Sequence, residues 1–458
     1  MEDDITAWAH AEFGQAQLGD RRRTSRLVAM AAQLAAQPAG RITEAFTTAA
    51  MREAAYRFIE SDQFLSTVVG AAMHRAAASR AAAHREIIVP VDGVAFQVAH
   101  EGQGFGPIGA KHQANGAHAM TALALTPAGV PLGVLGQVFW TRSTERSPEY
   151  GRDKRPISER ESSHWLTVMT QATEAVRRAA PTTKTWFQLD RGGDCADVLL
   201  HARALHVDVT ARACYDRVVT GGKLWGHAAR GTYLGEYRLR IAKPGHRPRS
   251  ATICVRARAV ELHLRPGPLA RGRLQLHTMW VVEARERGSR PDGVLWRLLT
   301  TKPVTTFAEA RSVIDAYTRR WRIEEFHLAW KSGACGIEQS WLREGEHFFK
   351  WATITGAVAA RLERLKLLAR TEPQRDALTE FTRDEIDATI ALRKPNGICL
   401  GATPTLGEMV RWIADLGGYI GKSSGGPPGI RVITRGFEKV EAAALAIATV
   451  RERPNDRG

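Results

Sequence analysis

The spacing of apolar residues predicts helices along the first part of the chain. Within residues 20–37, apolar side chains recur at helical intervals, and Asp20 and Pro38 are residue types that begin and end helices. Residues 42–59 and 65–84 show the same periodicity. The chain is therefore expected to begin with a small helical module.

The pattern then changes to one that is typical of a mixed α/β domain. Residues 87–91 and 185–189 are short, continuously apolar runs, and the segment 122–140 indicates two strands joined by a tight turn. Asp92 and Asp190 directly follow the two apolar runs. We therefore expect both carboxylates at the ends of strands in a central sheet.

A long all-β stretch, residues 220–301, separates the second aspartate from the next predicted helix. Polar and apolar residues alternate within 233–241, 252–264 and 274–282, and turns rich in glycine and proline lie between these segments. Helical spacing returns at residues 307–331. A run of strands inside an α/β frame predicts an inserted domain.

The balance of charge favours a polyanionic partner. The 458 residues include 64 Lys and Arg against 48 Asp and Glu, which gives a formal net charge of +16. With 44% hydrophobic residues, the chain can bury a large core, and its length suggests about two to four domains. Nucleic acid is the obvious partner, although a merely basic soluble enzyme has the same composition.

Cysteine usage and the absence of long apolar runs predict a cytoplasmic protein. The cysteines form no CxxC pair, so neither a zinc module nor a disulfide framework is indicated. The first residues are acidic where a signal peptide would be basic, and no apolar run reaches the ~18 residues of a membrane span. We expect no membrane partner.

Four polar residues recur at helical intervals within residues 317–331: Tyr317, Arg320, Glu324 and Lys331. At about 100° per residue, they fall within an arc of roughly 60° on one helix face. A carboxylate flanked by cations and a phenol can hold a divalent metal ion while its neighbours contact phosphate oxygens. An exposed helix with an ordinary ion pair between Arg320 and Glu324 is the alternative that these residues leave open.

The two aspartates favour the metal site, because Mg²⁺ is usually held by several oxygen ligands that include carboxylates, water and substrate phosphate. Each aspartate alone is more often a cap or turn residue. Together with Glu324 they offer three carboxylates, and open α/β sheets form their sites where strands end. The sequence therefore predicts a Mg²⁺ site made by Asp92, Asp190 and Glu324.

The order of these residues resembles the DDE transposases of the IS-four family, of the Tn-five-like type. The signature of that family is the Tyr-x2-Arg-x3-Glu-x6-Lys spacing found at residues 317–331. The resemblance extends to residues 18–23 and 54–59, and to Asp190-Arg191 with Asp194 after the second strand. Four dispersed blocks in the same order are far more specific than any single acid.

The resemblance implies an α/β fold with an RNase-H-like catalytic core, interrupted by a β-rich insertion, between a helical N-terminal DNA-binding region and a helical C-terminal region. We expect a DNA-binding domain at residues 1–78 and the first part of the core at 79–218. The β-strand insertion is expected at 219–303 and the second part of the core at 304–370. The C-terminal region, residues 371–458, is expected to form a dimer.

The resemblance also assigns residues. Asp92, Asp190 and Glu324 are expected to be catalytic and to hold two Mg²⁺ ions, for which Mn²⁺ can substitute. Trp296 lies where relatives use an aromatic side chain to receive an unstacked base, although a core tryptophan is the alternative there. The residues expected to contact DNA are Tyr317, Arg320, Lys331, Trp296, Trp321, Arg322, Arg212, Arg21, Arg22, Arg23 and Arg26.

These expectations describe a cut-and-paste transposase that is associated with the nucleoid. It would bind the terminal inverted repeats of a transposon, cleave double-stranded DNA through a hairpin, and join the 3′ ends to target DNA as a homodimer. A catalytically silent regulator of transposition and a stand-alone RNase-H-type nuclease are the alternatives. Asp92 is followed by Gly93-Val94, where relatives commonly have hydroxylated residues, so contacts beside the triad stay open.

Overall fold

The start of the chain is helical, as the periodicity predicts. The helix expected at residues 42–59 is in fact two helices, because the Thr48 side chain accepts a hydrogen bond from the backbone N–H of Met51 and begins a new one. The computed structural model describes residues 4–99, 102–109, 114–143, 160–241, 249–267, 271–288, 293–421 and 426–452. Its first helices are α1 (Asp4–Phe13), α2 (Arg21–Ala36), α3 (Ile42–Ala45), α4 (Ala49–Ile59) and α5 (Ser66–Ala81).

A mixed α/β arrangement follows, with elements β1 (Glu86–Gln97), β2 (Gly106–Ile108), β3 (Ala114–Leu125), β4 (Pro131–Trp140), α6 (Ser163–Ala179), β5 (Lys184–Leu189), α7 (Ala196–Ala204) and β6 (Asp208–Arg212). Strand β3 pairs antiparallel with both β1 and β4, whereas β1, β5 and β6 are parallel neighbours. The strands that carry or precede the two aspartates therefore lie side by side.

Strand β1 is longer than its apolar run, and this corrects the expected position of Asp92. Asp92 lies inside the strand, where it is paired with Thr121 of β3, and the pairing continues to Gln97. The apolar pattern marks only the fully buried half of the strand, because the second half is partly exposed. Asp190 directly follows β5, as expected.

The stretch predicted to be all-β also contains a short helix. Its elements are β7 (Val218–Val219), β8 (Gly222–Lys223), α8 (Leu224–Ala229), β9 (Thr232–Ile241), β10 (Arg249–Leu264), β11 (Gln275–Glu286) and β12 (Leu295–Thr300). Within the described ranges, twelve strands form one continuous sheet, in which β12 connects β11 to β6. These strands therefore extend the central sheet. One of the expected turns rich in glycine and proline, at residues 243–245 between β9 and β10, lies outside the described residues.

Helices complete the chain: α9 (Phe307–Thr318), α10 (Trp321–Lys331), α11 (Gly345–Thr371), α12 (Arg383–Arg393), α13 (Leu406–Leu416) and α14 (Ile430–Glu452). Helix α11 is buried around almost its whole circumference and packs against α5, α10 and β4. Helix α12 ends at Arg393, and the residue that caps it, Lys394, has a left-handed backbone with a φ of 47°.

The single helix expected at residues 307–331 is two helices, which is a second correction. Between α9 and α10 the backbone tightens: the N–H of Arg320 donates to Tyr317 O and the N–H of Ile323 donates to Arg320 O, both i to i+3 bonds. No helix in the described part of the chain is both long and apolar enough to cross a membrane.

Candidate active site

Three acidic residues come from three different elements. Asp92 lies in β1, and Asp190 follows the neighbouring parallel strand β5, one position beyond the paired residues Val91 and Leu189. Glu324 is in the first turn of α10, and α10 packs against β1. The parallel pairing of β1 and β5 is therefore what brings the two aspartates together.

Arg320 connects two of the three acids. Its Nη1 lies 3.1 Å from Asp92 Oδ2, and its Nη2 lies 2.7 Å from Glu324 Oε1. The arginine is 8% exposed, so its charge is largely removed from water. A buried guanidinium of this kind requires carboxylate partners, and the two acids supply them.

The cluster carries an excess of negative charge. Burial raises the pKa of Asp92 to about 6, and the charges of Asp190 and Glu324 act in the same direction, while Arg320 opposes them. The Asp190 carboxylate is held by the N–H of Gly192, at 2.7 Å from Oδ1. A single arginine therefore compensates the acids only in part.

The chemistry of these donors fits a divalent cation, because carboxylate oxygens are the ligands that Mg²⁺ prefers. The raised pKa of Asp92 shows that added positive charge would stabilise the ionised cluster. Among the described residues, however, no group of three His, Cys, Asp or Glu side chains is spaced to hold a metal ion. In this conformation the Arg320 guanidinium, which bonds both Asp92 and Glu324, supplies the positive charge at the cluster.

Tyr317 and two further predicted residues lie beside the acids. Tyr317 is only 4% exposed, and burial raises the pKa of its hydroxyl, while the nearby Arg320 and Arg212 oppose that rise. The Trp296 ring packs edge-on against Tyr317, with centroids 5.5 Å apart and an interplanar angle of 76°. Tyr317 is therefore a buried contact of the site instead of part of an exposed polar face.

Of the four residues expected on one face, Tyr317, Arg320 and Glu324 lie together, although the helix is interrupted between α9 and α10. Lys331 pairs with Glu338 at 3.4 Å. Arg322 pairs with Glu325 at 2.8 Å. Of the cations expected on or beside the motif helix, Arg320 is thus the one that joins the acids.

Trp321 differs from its neighbours because it is 58% exposed. The guanidinium carbon of Arg320 lies 5.7 Å from the centre of its ring. An exposed indole next to a buried arginine has one free face. The position next to the acids is consistent with the predicted contact to a base.

The N-terminal arginines divide into two pairs. Arg22 pairs with Asp20, which also caps α2, and Arg23 donates to Leu18 O at 2.9 Å. Arg21 and Arg26 are exposed. Arg22 and Arg23 therefore have partners within the module, although the Arg22 side chain is 92% exposed, as Arg21 and Arg26 are exposed.

Sequence reasoning missed Arg217, which holds the loop after Asp190 in place. Its Nε and Nη2 donate to Asp194 Oδ1 at 3.0 and 2.7 Å, and the N–H of Cys214 donates to Asp194 Oδ2. The Asp194 side chain is fully buried. Asp194 was recognisable in the sequence, but no spacing pattern identifies a partner that is 23 residues away.

Two family models match the ends of the chain. The model described as Transposase DNA-binding matches residues 5–64, and the model described as Transposase Tn5 dimerisation domain matches residues 357–452. With helical regions at both ends of a mixed α/β sheet, these matches show that the chain is a transposase. More particularly, the two matches support a Tn5-like transposase of the IS-four family.

Proposed function

We propose that the chain is a cut-and-paste transposase that binds the terminal inverted repeats of its transposon, cleaves there, and joins the 3′ ends to target DNA. The observation that carries this proposal is that Arg320 pairs with both Asp92 and Glu324, while the charge of Asp190 acts on Asp92 from the neighbouring strand. It occurs in a chain whose ends match transposase DNA-binding and dimerisation models. The hairpin route implied by the family resemblance is part of the proposal.

The strand arrangement supports an RNase-H-like core. The order β4–β3–β1–β5–β6 has three antiparallel strands followed by two strands parallel to β1. Asp92 lies on the central strand and Asp190 follows its neighbour. A fold alone does not define chemistry, so the argument for cleavage rests on the acids.

Asp92, Asp190 and Glu324 are the residues that would hold the divalent ions, Mg²⁺ or Mn²⁺. When bound, such ions would activate the attacking water or 3′-OH and neutralise charge on the leaving 3′ oxygen. Before they bind, Arg320 keeps the carboxylates of Asp92 and Glu324 together. The protein thus contributes an oriented set of acids instead of a covalent group.

Arg320 has a second role in this proposal. Its guanidinium carries several N–H donors that match the oxygens of a phosphate group. When cations neutralise the acids, the Arg320 donors become available to the DNA phosphate next to the cleaved bond. Arg320 would then orient the backbone and stabilise the charge that develops there.

The aromatic residues would control the base next to the cleavage site. Trp296 is only partly buried and is supported from the side by Tyr317. Stacking of a base on an aromatic ring contributes about 1–3 kcal/mol. Trp296 and the exposed Trp321 are therefore the proposed contacts for an unstacked base.

Binding of the ends and pairing of subunits are proposed for the two matched regions. In the N-terminal module, the exposed Arg21 and Arg26 would contact phosphates of the inverted repeats. The C-terminal region would form the homodimer that holds two ends in one synaptic complex. Both contacts are required if two ends are to be cut together.

The test is cleavage and joining of DNA that carries the terminal repeats flanking the gene, with Mg²⁺. Asp92→Asn, Asp190→Asn and Glu324→Gln are compared with the native chain, because these changes remove charge with little change in shape. We expect cleavage to fall by about 100-fold or more in each variant, since a bound cation contributes several kcal/mol to catalysis. Binding of the ends should persist.

The products distinguish the alternatives. A native protein that binds the ends but never cuts is a regulator. One that cuts without joining 3′ ends to a second DNA is a nuclease. Either result would replace the transposase proposal.

A further inference from the structure

One face of the extended sheet carries an unusual set of arginines. In the first half of β10, Ala251, Ile253, Val255 and Ala257 are buried in the core, so the alternate residues point to the opposite, uncovered face. In the second half the burial pattern reverses, and Val260, Leu262 and Leu264 are buried in a second core. The uncovered face is thus confined to one end of the strands.

The residues of β9 show which face of the sheet packs against α9 and which face is uncovered. Tyr237 packs under the guanidinium of Arg311 from α9, with 3.8 Å between that group and the ring centre. Leu239 and Ile241 pack against the same core. Arg238 and Arg240 alternate with these residues and are exposed, so both point away from α9.

Across the sheet, these arginines lie opposite hydroxyl groups. Arg238 is paired with Thr252, and Arg240 is paired with Ser250. Within the described residues, no carboxylate forms an ion pair with Arg238 or Arg240. Two arginines and two hydroxyls therefore form a small basic patch near the end of the β9–β10 pair.

Three neighbouring arginines are already neutralised by acids, whereas Arg256 donates to the backbone oxygen of Gly231. Arg287 pairs with Glu236, and Arg285 and Arg297 both pair with Glu283, at 2.9 and 2.8 Å. Glu236 is next to Arg238 on this face of β9, but its Oε2 already accepts a hydrogen bond from Arg287. Two like charges on alternate positions of an edge strand repel each other unless an anion lies nearby.

Arginine and hydroxyl donors together are typical contacts for the phosphates of DNA. We propose that the patch formed by Arg238, Arg240, Ser250 and Thr252 binds the backbone of duplex DNA. The patch lies on the face of the sheet opposite α9, whose last turn carries Tyr317. It therefore holds duplex that is not being cut, and it supplements the contacts of the N-terminal module.

This inference deepens the proposed function, but its test needs no cleavage. Binding of a duplex that lacks the terminal repeats is measured without divalent ions, across about 50–200 mM salt. In the variant Arg238→Ala/Arg240→Ala, we expect the slope of log K against log salt to become shallower by about 2, because each phosphate contact contributes about 0.9.

Two matched variants separate a phosphate contact from other causes. Arg431→Ala/Arg435→Ala removes the same charge from exposed positions of α14 and should leave the slope unchanged. Arg238→Lys/Arg240→Lys keeps the charge and should retain most of the slope. The proposal is overturned if Arg238→Ala/Arg240→Ala keeps the native slope, or if Arg431→Ala/Arg435→Ala lowers the slope by the same amount. It is also overturned if Arg238→Lys/Arg240→Lys has the same slope as Arg238→Ala/Arg240→Ala.

Failure of this proposal is distinguishable from failure of the proposed function. An unchanged slope in Arg238→Ala/Arg240→Ala refutes the patch even when the native chain cuts and joins transposon ends. A chain that never cuts would still show the change in slope if the patch binds DNA. Thermal unfolding of each variant checks that these exposed substitutions preserve the fold.

Discussion

Nη1 of Arg320 lies 3.1 Å from Oδ2 of Asp92, although 228 residues separate the two in sequence. The same guanidinium donates to Glu324, which lies one helical turn away. An internal cation therefore stabilises the acid cluster before any external one binds. This relationship leads to a prediction that can be measured without DNA.

Removing Arg320 should strengthen the response of the free protein to divalent cations. In Arg320→Ala the acids lose their internal counter-charge, so the free energy of unfolding falls by about 1.5–3 kcal/mol in the absence of metal. Mg²⁺ or Mn²⁺ should then restore about 1 kcal/mol or more beyond its effect on the native chain. Thermal unfolding with and without metal measures both changes.

Arg322→Ala is the matched control for that experiment, because Arg322 pairs with Glu325 instead of the triad. It should show the native response to metal. Equal metal responses in the native chain and Arg320→Ala would contradict the role assigned to Arg320. Cleavage should be lost in Arg320→Ala and only slightly reduced in the control.

Trp296 should contribute to both folding and base capture. Trp296→Ala removes the ring that packs against Tyr317, and it should reduce the affinity for an end with an unpaired base at the cleavage site by about 1–3 kcal/mol. A fluorescent base analogue at that position reports the stacking. Trp296→Phe retains a ring and should recover most of the signal.

A purely structural tryptophan would give a different pattern. Trp296→Ala would then be less stable to denaturant but would bind paired and unpaired ends with the same relative affinity as the native chain. That outcome would assign Trp296 to the core. Leu298→Ala, on the same strand and fully buried, is a control that changes stability alone.

His74 should make the stability of the protein depend on pH. The side chain lies in α5 and is 8% exposed, and burial lowers the pKa of its imidazole to about 4. The unfolded chain takes up a proton below about pH 6.5, whereas the folded chain does so only near pH 4. Stability is therefore present above pH 6.5 and is lost as the pH falls between these values.

The expected contribution is about 1.4 kcal/mol per pH unit between pH 6 and pH 4.5. His74→Gln has no side chain that titrates in this range. As the pH falls, its free energy of unfolding should therefore decrease by about 1.4 kcal/mol per pH unit less than that of the native chain. Urea unfolding at several pH values measures the difference. Parallel profiles for the two proteins would show that folding does not lower the pKa of His74.

The pair of Arg217 and Asp194 should be a large source of local stability. Arg217→Ala leaves the fully buried Asp194 carboxylate without its cation and should cost about 3–5 kcal/mol. Asp194→Asn keeps the hydrogen-bonding shape and should cost less. A double-mutant cycle with Arg217→Ala and Asp194→Ala measures the coupling, which should be at least about 1 kcal/mol. Additive effects would show that the pair is not coupled.

Much of the fold follows from short-range pattern. Asp20, Thr306 and Thr405 have the residue types that begin helices, and each caps one. The apolar runs before Asp92 and Asp190 form neighbouring strands. These features depend on residues a few positions apart, so the sequence alone is sufficient to predict them.

Other features depend on pairing between distant segments. Asp92 lies inside a strand because β3 continues to pair beyond the apolar run. The β-rich stretch joins the central sheet because β12 pairs with β6. Periodicity within one segment contains no information about which segment will lie next to it.

The candidate site shows the same division. The sequence by itself determined the residue types and the spacing of Arg320 and Glu324, because both lie within one short motif. Only the tertiary structure decided that Arg320 also binds Asp92, that Lys331 pairs with Glu338, and that Arg217 holds Asp194. The physical reason is that ion pairs form between charges brought within a few ångströms, and the packing of helices on the sheet sets those distances.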